Sequence, residues 1–201
     1  WKSKFKVNKN VLIPRPDTET LIEQVLNDLN INSSKKILDI GTGSGCIIIS
    51  ILKERKRCYG VGIDISKNAV KLAKYNAKIQ HIDNRIKFLN SDIDNFCVDK
   101  YDLIISNPPY IKQREINSLE KDIKNHEPRV ALDGGIDGYK KIRLIIEKSS
   151  TLIKKKGKLF LEIGKNQTRK TLKMLNLNGF NKTKIVKDLS GKNRCIVSTK
   201  I

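Results

Sequence analysis

Histidine, tryptophan and cysteine are scarce in this chain: two His, one Trp and four Cys among 201 residues, with aromatics at 5%. Cys46, Cys58, Cys97 and Cys195 are widely spaced and form no Cys-x-x-Cys pair, and only His81 and His126 could join them as ligands. That pattern speaks against a zinc site and for a reducing compartment. Apolar runs are short, none approaching the roughly 18 residues of a membrane span, and no signal-peptide pattern opens the sequence. The expectation is a soluble, cytoplasmic protein with no membrane partner. The sequence starts at Trp1 and not at Met, as it would if an amino-terminal piece preceded it.

Acidic residues are also in deficit. Asp and Glu number 21 against 41 Lys and Arg, a net charge of +20, which favours RNA, the ribosome or another polyanion as a non-specific neighbour. Lys, Asn and Ile are abundant throughout, and no basic block is interleaved with aromatics as a dedicated nucleic-acid groove would want. The length suits one well-buried α/β domain over 1–201, and no repeat or low-complexity linker marks a second.

What is present centres on Asp102-Leu103-Ile104-Ile105-Ser106-Asn107-Pro108-Pro109-Tyr110. The apolar, β-branched run predicts a central parallel strand buried on both faces. Two prolines then stop it and stiffen the corner, since neither offers an N–H and each restricts the residue before it. The Asn107 side-chain oxygen and the Pro108 carbonyl are two acceptors suited to a neutral NH₂ group, and the Tyr110 ring offers a flat face to a planar amide or base. Such a corner reads either as an amino-group clamp or as a structural turn.

A second strand, Lys36 to Ile40, runs into Gly41-Thr42-Gly43-Ser44-Gly45, followed by the helical stretch Cys46 to Leu52. Strand, Gly-rich turn and helix form the nucleotide-cofactor arrangement, but Cys46 stands where a dinucleotide fingerprint wants its third Gly. A nucleoside without phosphate is therefore favoured over a pyrophosphate. The strand Tyr59 to Ile63 ends in Asp64, 23 positions beyond Gly41, where a carboxylate can accept from both ribose hydroxyls or cap the helix predicted over Ser66 to Ala77. Arg85 to Leu89 reads as a strand closed by Asn90-Ser91-Asp92-Ile93, with Asp92 either taking an adenine amine or serving as a solvated turn residue.

The remaining periodicities predict a lead-in strand or hairpin over 1–16 and a helix over 17–29 capped by Asp17 or Thr18, with a capping box at Thr20 as the alternative. Segment 111–137, with His126-Glu127-Pro128-Arg129 and Asp133-Gly134-Gly135, reads as a lid over the substrate. A helix over about 139–154 ended by Gly157 follows, then a strand Lys158 to Ile163, a helix Gln167 to Leu177, and strands Lys182 to Val186 and Arg194 to Ser198 adjacent enough to pair antiparallel. Seven strands result.

Gly41 to Gly45, Asp64 and Asn107-Pro108-Pro109-Tyr110 together resemble S-adenosylmethionine-dependent methyltransferases acting on planar amino groups. With Leu12-Ile13-Pro14-Arg15-Pro16-Asp17-Thr18-Glu19, Glu127-Pro128-Arg129, Asp137-Gly138 and Glu162-Ile163-Gly164 with Gln167, the chain resembles the HemK/PrmC-type release factor glutamine methyltransferases over essentially all of 1–201. The resemblance implies a Rossmann-like, seven-stranded class I methyltransferase fold with a mostly parallel sheet and an antiparallel last strand. It implies S-adenosylmethionine as cofactor, held by Gly41, Thr42, Gly43, Ser44, Gly45, Asp64, Asp92, Ile93 and Asn107. Peptide chain release factors are the implied partners, their glutamine seated against Asn107, Pro108, Pro109 and Tyr110, with Asn107, Pro108 and Tyr110 catalytic and no metal. Ile93 departs from the Trp many members place beside the adenine. The family's amino-terminal helical domain, which helps dock the release factor, is absent from 1–201. The shared Asn-Pro-Pro-Tyr corner and the +20 charge keep open a methyltransferase acting on an exocyclic amine of RNA or DNA. An inactive cofactor- or RNA-binding module is the third reading.

Overall fold

The computed structural model describes residues 3–120 and 127–201; His126 lies outside the described residues. Strands and helices alternate as α1 (Pro16–Asp28), β1 (Lys36–Ile40), α2 (Cys46–Glu54), β2 (Tyr59–Asp64), α3 (Lys67–Ile79), β3 (Ile86–Asn90) and β4 (Tyr101–Ser106). After a long connection come α4 (Lys140–Leu152), β5 (Ile153–Glu162), α5 (Thr168–Leu177), β6 (Phe180–Lys187) and β7 (Asn193–Lys200). The seven strands make one sheet in the order β3-β2-β1-β4-β5-β7-β6. Strands β3 to β5 along that order are parallel, and β7 runs antiparallel to both β5 and β6. This is the mostly parallel, seven-stranded α/β architecture with an antiparallel last strand that the resemblance implies, and the last two strands pair antiparallel as their spacing predicts. No helix of the described residues is long and apolar enough to cross a membrane.

The central strands read as unbroken apolar runs because both faces are covered. Ile37, Leu103 and Ile105 pack with the buried faces of α1, α2 and α3. Leu38, Ile40 and Ile104, pointing the other way, pack with α4 and α5. Chain order reverses between β1 and β4, so the carboxyl ends of these two strands open the crevice where such sheets bind ligands.

Close packing reaches the crevice through β2. A Cβ on Gly62 would lie 2.6 Å from the Phe88 ring and 3.0 Å from Thr42 Oγ1. Gly62→Ala is therefore expected to destabilise the protein by about 1–3 kcal/mol through overpacking, read as a lower denaturation midpoint. An unchanged midpoint would mean that Phe88 is free to retreat.

Three expectations are corrected. Residues 3–15 form no strand or hairpin; instead the Lys6 backbone pairs with the buried Asn76 side chain, which accepts at 3.0 Å and donates back at 3.0 Å. Helix α1 starts at Pro16, and its N-cap, Arg15, makes no side-chain cap. Asp17 and Thr18 are drawn elsewhere. Gly157 does not end α4, which stops at Leu152; it lies inside β5, where the register against β4 jumps from Ile153 to Lys158. The intervening residues bulge out with Lys156 at φ 63.

Candidate active site

Two strand ends meet at the crevice. Ser106 Oγ donates to the Ile40 carbonyl at 2.8 Å, fastening the end of β4 to the end of β1. The Asn107-Pro108-Pro109-Tyr110 corner thus stands beside the turn Gly41 to Gly45. That turn is tied on its other side to β2, where the Gly41 and Thr42 amides both donate to the Ile63 carbonyl. Gly41 and Gly43 have φ of 73 and 55, and a Cβ at either would meet nothing within 4 Å. Positive φ excludes most side chains, and the open space lets a ligand reach the backbone. Gly45, φ 79, is the N-cap of α2 and is packed against Ile49, so it shapes the turn without lining the crevice.

The crevice encloses about 1120 Å³ including its open mouth. Gly41, Thr42, Gly43, Ser44, Asp64, Asp92, Ile93, Asn107, Pro108 and Pro109 all line it, so the sequence-predicted residues are largely brought together. Lys141 is the only Lys or Arg among the described residues lining it. Segment 111–137 contributes Pro128, Val130 and Ala131 to the wall, and the irregular lead-in contributes Asn10, Val11, Leu12 and Pro14. Arg15 and Glu127 join these two walls by an ion pair at 2.5 Å.

Asp64 is not the cap of α3; Ser66 is, its side chain accepting from the Ala69 amide. The Asp64 carboxylate instead spans the turn, accepting from the Gly43 amide at 2.9 Å and the Ser66 amide at 2.8 Å. Burial raises its pKa, against the pull of those two amides. Asp92 accepts from the Asp94 amide at 3.2 Å while remaining on the crevice wall.

Tyr110 is set back from the crevice lining, and its hydroxyl donates to Glu162 Oε1 at 3.2 Å. Glu162, at the end of β5 and 1% exposed, also accepts from Thr18 Oγ1 at 2.9 Å. Thr18 Oγ1 in turn accepts from Asn107 Nδ2 at 3.1 Å. Arg194 donates to the Tyr110 hydroxyl at 3.3 Å and pairs with Asp17 and Asp188, both at 3.0 Å. Burial raises the Glu162 pKa to about 7, offset in part by Thr18, Arg194 and Tyr110. Gln167 staples the back of this corner: its amide donates to the Tyr110 and Gly138 carbonyls and accepts from the Gly164 amide.

Sequence reasoning gave no role to Asp39, which is fully buried under the Gly turn. Its Oδ2 accepts from Thr42 Oγ1 at 2.7 Å, Oδ1 has no partner among the described residues, and burial raises its pKa to about 7. A carboxylate inside an apolar strand, three residues before a turn hydroxyl, was the available signal. Thr18 was read only as a helix cap, and the Arg15–Glu127 pair went unassigned, because Glu162 and Glu127 lie more than 100 residues from Thr18 and Arg15 in the chain.

The sheet order and this crevice define a class I methyltransferase. A methyltransferase small domain family matches residues 16–136, and the S-adenosylmethionine-bound magnesium protoporphyrin IX methyltransferase of Synechocystis superposes with a TM-score of 0.62 at 18% identity, over 92% of this chain and 78% of that one. The release factor glutamine methyltransferase of Thermodesulfovibrio yellowstonii is 42% identical over the whole chain and 72% of its own length. That of Caulobacter vibrioides is 37% identical over the whole chain and 70% of its length. The chain belongs to the release factor glutamine methyltransferase family.

Proposed function

We propose that the chain transfers the methyl group of S-adenosylmethionine to the side-chain amide nitrogen of the glutamine in the Gly-Gly-Gln motif of a peptide chain release factor, in the cytoplasm, where it serves translation termination. One observation carries the reading: Asn107 lines the crevice beside the open Gly turn with its NH₂ end committed to Thr18, so its oxygen is the end left for a substrate. S-adenosylmethionine, when bound, supplies an electrophilic methyl group on a positively charged sulfur.

The chain's own residues do the rest. Gly41 and Gly43 let the ligand approach the backbone, Asp64 accepts from the ribose, and Ile93, 7% exposed, packs on the base with Asp92 at its edge. Asn107 Oδ1 and the Pro108 carbonyl accept the two amide hydrogens of glutamine. An amide nitrogen is a poor nucleophile, its lone pair being delocalised into the carbonyl, so activation here is orientation, worth about 7–11 kcal/mol at best. No titrating base has to act before methyl transfer.

Asp64→Ala removes the ribose acceptor and frees the Gly43 amide together. Cofactor affinity is expected to fall by about 1.5–3 kcal/mol, the size for hydrogen bonds to a charged group. Titration calorimetry on the folded variant checks this, and an unchanged Kd would leave Asp64 as a turn brace alone. The function itself is tested by offering methyl-labelled cofactor with release factor and with RNA or DNA in parallel. Label in the release factor supports the reading; label in nucleic acid alone replaces it with exocyclic-amine methylation. No label in either, with RNA bound and no cofactor affinity, leaves a binding module.

A further inference from the structure

Asn107 Oδ1 and Nδ2 differ in what they offer a substrate, and the side chain alone does not decide which faces the crevice. The surrounding hydrogen bonds do. Arg194 can only donate, so the Tyr110 hydroxyl accepts from it and passes its own proton toward Glu162. On the other side, Thr18 passes its hydroxyl proton to Glu162 and has a lone pair left, which only a donor can fill. Asn107 Nδ2 fills it. Every bond in the chain therefore points toward the Glu162 carboxyl, which accepts from both sides. No donor to Asn107 Oδ1 is recorded among the described residues.

We infer that Thr18 and Glu162 are positioning residues that set the hydrogen-bond polarity of Asn107, so that the crevice presents an acceptor and selects an amide NH₂ over a carboxylate. The inference rests on the glutamine-methylation reading and deepens it, by naming what makes the site prefer Gln to Glu. Converting Glu162 to a neutral group that can itself donate reverses the chain: Thr18 accepts from position 162, donates to Asn107, and the Asn107 amide turns its NH₂ into the crevice. There it meets the substrate's own NH₂, donor to donor.

Glu162 is faced by Asp17 and Thr18 from α1, by Tyr110 from the proline corner, and by Arg194 and Cys195 from β7. Of these, Thr18, Arg194 and Tyr110 favour the ionised form and Asp17 opposes it. Burial raises the folded-state pKa, so the carboxyl picks up its proton as pH falls through about 7. Turnover should fall with it, on the acidic side.

The test compares wild type with Glu162→Gln, Thr18→Val and Thr18→Ser. Expected are about 10–100-fold lower kcat for the first two, the cost of a mis-aimed reacting group, with cofactor Kd unchanged. Thr18→Ser should restore most of the turnover. The acidic limb near pH 7 should disappear in Glu162→Gln, and the double variant should be no worse than either single, since both break one relay. Independently of activity, the Asn107 side-chain NH₂ protons should show nuclear Overhauser contacts to the Thr18 methyl in wild type and lose them in Glu162→Gln. If wild type methylates release factor and both variants keep its kcat and pH profile, the inference is overturned. If wild type methylates nothing, the functional reading fails and the proton contacts alone decide the polarity: their absence in wild type, or persistence in Glu162→Gln, sinks it.

Discussion

Asn107→Ala is expected to bind S-adenosylmethionine with nearly wild-type affinity and to turn over about 10²–10³-fold more slowly, the loss typical of deleting one preorganised hydrogen-bonding group. The backbone at position 107 is held by its neighbours, since Ser106 is fastened to Ile40 and two prolines follow, so truncation should leave the corner in place. Thermal melts control for the lost Thr18 contact. Asn107→Asp keeps an acceptor on the crevice side but sets a second carboxylate on the Thr18 hydroxyl, across from Glu162. Its activity should fall between wild type and alanine and improve as pH is lowered enough to protonate one of the two acids. A folded alanine variant with wild-type turnover would reduce Asn107 to a turn residue.

The second large effect is expected at Arg15→Met. Glu127 keeps only 1% of its side chain exposed, and its sole recorded partner among the described residues is Arg15, which keeps 38%. Removing the cation strands a buried carboxylate. Breaking buried pairs costs about 3–5 kcal/mol, and the water around Arg15 places this one near the lower end. Because the pair joins the Asn10–Pro14 wall to the Pro128–Ala131 wall, cofactor affinity should fall together with the denaturation free energy. Adding Glu127→Gln to the Arg15→Met chain should recover part of the stability, since no charge is then left unpaired. A loss under about 0.5 kcal/mol, within the range of ordinary surface substitutions, would show that the two walls stand without the pair.

Periodicity made most of the fold legible. Each central strand announced itself as an apolar run because helices cover both faces, and each glycine turn as a break. The lead-in misled because Phe5 and Val7 alternate without a strand to pair with. Gly157 misled because a bulge and a helix end use the same residue. In the site, the Gly turn, Asp64, Asp92, Ile93 and the proline corner were readable since they sit in short contiguous motifs at strand ends, whereas the lining from the lead-in and from Val130, Ala131 and Lys141 was not. Nor was what lies behind them. Asp17 and Thr18 look like helix caps by local rules, and their departure from that role shows only when β5 and β7 bring Glu162 and Arg194 up against α1. Tyr110 was expected against the substrate; its hydroxyl also bonds Glu162, a contact the four-residue motif alone does not reveal.

The most direct test of the central claim is tandem mass spectrometry of a release factor after incubation with this chain and S-adenosylmethionine. The account predicts the added mass of one methyl group, fragment ions assigning it to the Gly-Gly-Gln glutamine, and none on a release factor carrying Glu there. An unmodified glutamine in the presence of bound cofactor, or a methyl group found on any other residue, would contradict it.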